Sequence, residues 1–174
     1  MDKNRIQITL EDFPNDIYIL LEDDFRAEFF KTAWKINKSY RHLAKKIGVS
    51  NPVMLSWRRG RINSTNQDQY CSVRAIKEII NHSKHYSEWE YDLEEVQKNV
   101  KSIRAIHGKK ICNVNLPIED SIELREIVTH LLCDGYASNK KQMTSKYGLT
   151  SIGGVEEFKK ELSIFGEIPN LKIS

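Results

Sequence analysis

Long apolar runs are missing from this 174-residue chain. No stretch approaches the roughly 20 residues that a bilayer-spanning helix needs, so a helical membrane protein is not expected. Residues 1–18 carry charges with no apolar core behind them, and no secretory leader is read there. Cysteine is scarce. Cys71, Cys112 and Cys133 lie far apart, which argues against a disulfide framework and a zinc knuckle. All three read as small buried residues in a reducing, cytoplasmic setting. His42, His82, His85, His107 and His130 are scattered without metal-ligand spacing. There is no Gly-rich phosphate loop, no nucleophile motif, no internal repeat and no low-complexity tract. With 40% hydrophobic and 29% charged residues the chain is neither disordered nor fibrous, and its length suits one ordinary domain or two small ones.

What is present is an uneven distribution of charge. Residues 1–30 hold three Lys/Arg against eight Asp/Glu, residues 31–86 hold twelve against two, and residues 87–174 hold twelve against fourteen. The middle segment thus carries a local net of +10 although the whole chain is only +3. A polyanion such as DNA is drawn to such a field. A merely solvated basic surface has the same composition, so the pattern inside the segment has to decide.

Residues 5–10 and 17–21 are short β-prone runs within a lead of 1–23. From Asp24 onward Phe25, Phe29, Ala33 and Ile36 share one helical face. Ser39 caps a second helix that Gly48 ends; Ser50 caps a third, with Pro52 in its first turn and Gly60 at its end. Polar residues 61–69 read as a loop. A fourth helix, from about Gln67 to Ser83, turns Val73, Ile76, Ile79 and Ile80 inward. Residues 83–91 read as a linker, which divides the chain into 1–86 and 87–174. Asp92 then caps a helix with Leu93, Val96, Val100 and Ile103 on one face, stopping before Gly108, and a strand covers 110–116 up to Pro117. Asp120 and Glu123 fit a capping box before a helix carrying Leu124, Ile127, Val128, Leu131 and Leu132 on one face. A β-hairpin over 136–149, with its turn at 138–141, and an amphipathic helix over 155–165 complete the pattern. The fold class expected is mainly α with a smaller α+β part.

Within the basic segment, residues 39–61 have the spacing of a helix-turn-helix. Leu43, Ala44 and Ile47 hold the first helix to the core, Gly48 permits a left-handed turn, Val49 plugs the angle, and Val53, Leu55 and Trp57 include the inward anchors of the second helix. The helix over 51–58 would enter the major groove. Ser50, Asn51 and Ser56 are candidate DNA contacts; Asn51 can pair with adenine, while Arg58, Arg59 and Arg61 can meet guanine or phosphate. The order Leu-Ala-Lys-Lys-Ile-Gly-Val-Ser followed by Trp-Arg-Arg-Gly resembles the phage-repressor type of helix-turn-helix over roughly residues 24–82.

A second stretch, Ile-Val-Thr-His-Leu-Leu-Cys-Asp-Gly at 127–135, ends an apolar helix and leads straight into a hairpin. It resembles the signature of the LAGLIDADG homing endonucleases, and especially archaeal proteins that join a helix-turn-helix to such a domain. Tyr147 and the helix with Phe158 and Phe165 before Gly166 resemble the tyrosine and the Phe…Phe-Gly helix of that family, so the likeness covers about residues 110–168. It implies that Asp134 is the catalytic, metal-binding carboxylate for Mg²⁺, and that Lys140, Lys141 and Lys146 belong to a DNA-reading hairpin in a truncated αββα unit. The family packs two such helices through small residues, where this chain has Val128 and Thr129. One motif in the chain implies a homodimer for cleavage.

Three functional readings are open. One is a DNA-binding protein, of the regulatory kind, related to these endonucleases but with cleavage weak or lost. Another is an active Mg²⁺-dependent endonuclease working as a homodimer through Asp134. The third is a remnant of a larger nuclease whose second half serves dimerisation. The partner in the first two is double-stranded DNA.

Overall fold

Negative charge gathers where the first long helix begins, and favours its N-terminal dipole: Asp23 and Asp24 open α1 (Asp23–Asn37), which Lys38 ends in a left-handed conformation at φ 58°. The structure, a computed structural model, describes residues 7–60, 68–105, 110–133, 135–136, 146–147 and 152–169; for 130–133, 135–136, 146–147 and 152–155 the backbone alone is considered. Before α1 lie β1 (Gln7–Ile8) and β2 (Ile17–Leu21). After it come α2 (Tyr40–Ile47), α3 (Asn51–Arg59), β3 (Cys71–Ser72), α4 (Val73–Ser83), α5 (Leu93–Lys98), β4 (Val100–Ala105) and β5 (Ile111–Cys112). The chain continues through β6 (Ile118–Glu119), α6 (Ile122–Cys133), β7 (Gly135–Tyr136), β8 (Lys146–Tyr147) and α7 (Ile152–Leu162). The fold is therefore mixed α+β, with small antiparallel sheets. No described helix is long and apolar enough to cross a membrane.

The main sheet has the order β3-β2-β4-β5, and its centre is the antiparallel pair β2–β4, with Ile19 opposite Ile103 and Tyr18 opposite Arg104. A register shift at Leu20/Leu21 brings Val100 opposite Leu21. Ile19, Leu21, Val100 and Ile103 share one buried cluster with Phe29 and Phe30 of α1, Leu43 of α2, Met54 of α3 and Ile76 of α4. Separate two-stranded ladders join β1 to β6 and β7 to β8.

Several elements depart from the sequence expectation. The fourth helix starts at Val73, not at residue 67, because Cys71 and Ser72 pair with Ile19 and Tyr18; the Ser72 hydroxyl then caps the helix, accepting from the Ala75 N–H at 3.3 Å. Residues 83–91 are no free linker. The rings of Trp89 and Tyr91 stand edge-on to Phe29 at 5.3 and 5.4 Å, and the Trp89 Nε1–H donates to the Tyr91 carbonyl at 2.6 Å. The core thus continues across residue 86, from β2 and α1 into α5 and β4. The helix capped by Asp92 stops at Lys98, and Val100 and Ile103 belong to a strand. The strand expected over 110–116 is confined to Ile111–Cys112. At α6 it is the Ser121 hydroxyl that accepts from the Leu124 N–H, at 3.2 Å, while Asp120 holds Arg125 in a two-point ion pair. Leu124 and Ile127 are buried, whereas Val128 is 46% exposed. The β7–β8 ladder places Gly135 opposite Tyr147; its turn lies outside the described residues. The final helix begins at Ile152 and passes into a 3-10 turn, Ser163–Phe165. Gly166 follows at φ 126°, so close to the Cys112 carbonyl that a Cβ would lie 2.5 Å from its oxygen.

Candidate nucleic-acid interface

The angle between α2 and α3 is set by local chemistry. Ser39 caps α2 by accepting from the His42 N–H at 3.3 Å. Gly48 ends the helix at φ 72°, in the left-handed region where a side chain is disfavoured. The Val49 N–H bonds back to the Ala44 carbonyl at 2.9 Å. Leu43, Ala44 and Ile47 are buried, as their spacing requires. In α3 the buried anchors are Met54 and Trp57, one turn apart, while Val53 and Leu55 are only half-buried. The expectation for Trp57 holds, and half-buried Val53 packs against the same core; Met54 is the anchor that the sequence reading missed, and Leu55 is not part of the cluster.

With those faces turned inward, cations line the outside. Arg41, Lys45 and Lys46 of α2 and Arg58 and Arg59 of α3 are exposed. Among the described residues neither Arg58 nor Arg59 enters an ion pair. Ser50 is exposed at the start of α3, and its hydroxyl makes no cap bond, so it is available to a ligand. Asn51 is half-buried, with Oδ1 buried and without a hydrogen-bond partner. The Ser56 hydroxyl is already used, donating to the Val53 carbonyl at 2.8 Å. Arg61, Lys140, Lys141 and Asp134 lie outside the described residues, as does the side chain of Lys146, whose backbone stands in β8 opposite Tyr136.

Arg26 holds the end of α3. It is buried on the inward face of α1, and its guanidinium reaches the carbonyls of Arg58 and Arg59 at 3.4 Å each. The same group donates to the Leu21 carbonyl at 3.4 Å and pairs with Asp23. One cation thus ties the end of β2, the start of α1 and the negative C-terminus of α3 together. Gly60, at φ 71°, lies against it: a Cβ there would fall 2.2 Å from the Arg26 Cζ. The sequence carried a signal for this residue, since 26 falls one turn before Phe29 and Phe30 on the apolar stripe of α1.

Two aromatic residues carry no sequence signal of a role at this surface. Tyr40, the first residue of α2, donates its hydroxyl to the Phe30 carbonyl at 3.2 Å, and burial raises its pKa although Arg58 opposes the shift. The Arg58 guanidinium lies over the Tyr40 ring, 5.4 Å from its centroid. On α1, Trp34 stacks near-parallel to the same ring at 6.2 Å and is itself 46% exposed.

Outside this surface the described residues contain no group of three or more His, Cys, Asp or Glu able to hold a metal ion. Cys71 is fully buried, which pushes its thiol far up from the ordinary range. Comparison with family models, curated proteins and solved structures finds no match to this chain.

Proposed function

We propose that this protein binds double-stranded DNA by laying α3 in the major groove, with α2 against the backbone. The observation that carries the reading is the pair Arg58 and Arg59, exposed and without ion pairs among the described residues, on a helix fixed from behind by Met54, Trp57 and Arg26. The short turn from Gly48 to Ser50 between α2 and α3 supports the reading as a helix-turn-helix, and the cations of α2 extend the same positive surface. Ser50 and the N-terminus of α3 suit a phosphate oxygen, and exposed Arg59 suits guanine or phosphate. The test is binding to a mixed-sequence duplex over a range of salt. Arg59→Ala is expected to weaken binding and to flatten the plot of log K against log salt by about one unit. Unchanged affinity and slope in Arg59→Ala and Arg58→Ala together would refute the assignment.

A second part of the reading concerns 110–168. The succession α6, β7, β8, α7, with β7 starting directly after the helix, supports kinship with a LAGLIDADG-like unit. In that reading Asp134, which lies outside the described residues, is the metal-binding residue. Cleavage is expected to be weak or absent, since Val128 and Thr129 stand where a close helix pair needs small residues, and packed interfaces tolerate added volume poorly. Incubation with DNA and Mg²⁺ tests this. Robust double-strand cleavage that is lost in Asp134→Asn would place the protein among active homodimeric endonucleases instead.

A further inference from the structure

We infer that Tyr40 is a positioning residue for Arg58: its ring, backed by Trp34, holds the guanidinium at the place where DNA is met. The inference rests on the DNA-binding reading and adds to it a pair of residues that touch no base by themselves. Arg58 stands in the last turn of α3 with a long side chain and no carboxylate to fix it among the described residues. A free arginine there would sample many rotamers and lose that freedom on binding. The Tyr40 ring removes part of that freedom beforehand, because a cation over an aromatic face is attracted by the ring quadrupole.

The ring is itself held by contacts on two sides. Tyr40 is tethered by its hydroxyl to the Phe30 carbonyl and by its backbone to the first turn of α2. Trp34 stacks on it at an interplanar angle of 30°. The three residues come from three successive helices, so the contact also locks the relative placement of α1, α2 and α3 at the surface. A ring contact through the guanidinium face does not use its N–H donors, which suits two-point recognition of a phosphate or a guanine edge.

The experiment measures duplex affinity and its salt dependence for the full chain and for Arg58→Ala, Tyr40→Leu, Tyr40→Phe and the double variant Tyr40→Leu/Arg58→Ala. Arg58→Ala is expected to weaken binding at least about fivefold and to flatten the salt slope. Tyr40→Leu is expected to weaken binding about two- to fivefold with the salt slope kept, because Arg58 is still there to meet the phosphate, and to add nothing on the Arg58→Ala background. Tyr40→Phe keeps the ring and loses only its tether, so its affinity should stay nearer to wild type than that of Tyr40→Leu. An affinity unchanged in Tyr40→Leu, or a loss that adds fully to that of Arg58→Ala in the double variant, overturns the positioning role and leaves the DNA reading standing. No duplex binding by the wild-type chain overturns both. Should Tyr40→Leu fail to fold, the free wild-type protein still decides: upfield ring-current shifts of the Arg58 Cδ protons support the stack, and their absence overturns it.

Discussion

At the scale of single residues, one buried guanidinium does more for the candidate site than any exposed cation. Arg26 is 7% exposed and donates toward three backbone carbonyls, two of them at the end of α3. Its pair with Asp23 contributes little, because that carboxylate is 74% exposed and well screened. The bonds to the carbonyls that close α3 matter more, and at 3.4 Å they belong at the low end of the about 1.5–3 kcal/mol that a charged donor contributes. Arg26→Met should therefore lower unfolding free energy by about 2 kcal/mol in urea denaturation. Gly60→Ala should cost more than about 1 kcal/mol, from its positive φ and from the side chain it would press into Arg26. The two effects share one contact, so Gly60→Ala should cost less on the Arg26→Met background. Simple additivity of the two would show that Gly60 and Arg26 do not meet.

At the scale of elements, caps were the most legible signals and strand pairing the least. Ser39, Gly48, Gly60 and Asp92 mark their helix ends as the sequence suggests, because capping is a local exchange between a side chain and the nearest N–H or carbonyl. Val96, Val100 and Ile103 have helical spacing, yet Asn99 ends α5 and Val100 turns to pair with Leu21. That partner lies far back in the chain, and no window around residue 100 contains it. The same non-local pairing turned Cys71 and Ser72 from a helix start into a strand. At the candidate site the exposed arginines were legible from charge, whereas Tyr40 and Trp34 were not, since their role depends on how three helices meet. Two serines that look equivalent in sequence also differ. Ser39 uses its hydroxyl as a cap and Ser50 does not. Ser39→Ala should lose about 1 kcal/mol of stability with DNA affinity otherwise unaffected. Ser50→Ala should stay within about 0.5 kcal/mol of wild type in stability while weakening duplex binding. A larger stability loss in Ser50→Ala than in Ser39→Ala would contradict the capping difference.

At the scale of the whole molecule, the sheet limits where the chain can be cut. The basic helices share one buried cluster with β2, and β2 is flanked by β3 on one side and β4 on the other. A fragment ending at residue 86 keeps all four helices from α1 to α4 but loses β4 and the aromatic rings that cover Phe29. Val96, Val100 and Ile103 are buried in the common core, and each such side chain is worth about 1.5–3 kcal/mol. Trp89 and Tyr91 add further edge-to-face contacts of about 0.5–1.5 kcal/mol each. The loss is on the order of 10 kcal/mol, which is comparable with the roughly 5–15 kcal/mol that holds a whole domain folded. It also leaves an unpaired edge along β2, a template for association. Fragment 1–86 is therefore expected to lack a cooperative thermal transition and to bind duplex poorly. Fragment 1–121 retains β4, β5 and the β1–β6 ladder. It gives up the bonds between Cys112 and Glu167, which lie at the sheet's other edge. It should melt cooperatively, though at a lower temperature than the full chain, and should keep most of the duplex affinity. A cooperative transition in 1–86 with full-chain affinity would mean that β4 and the rings at 89 and 91 only decorate a core that closes without them.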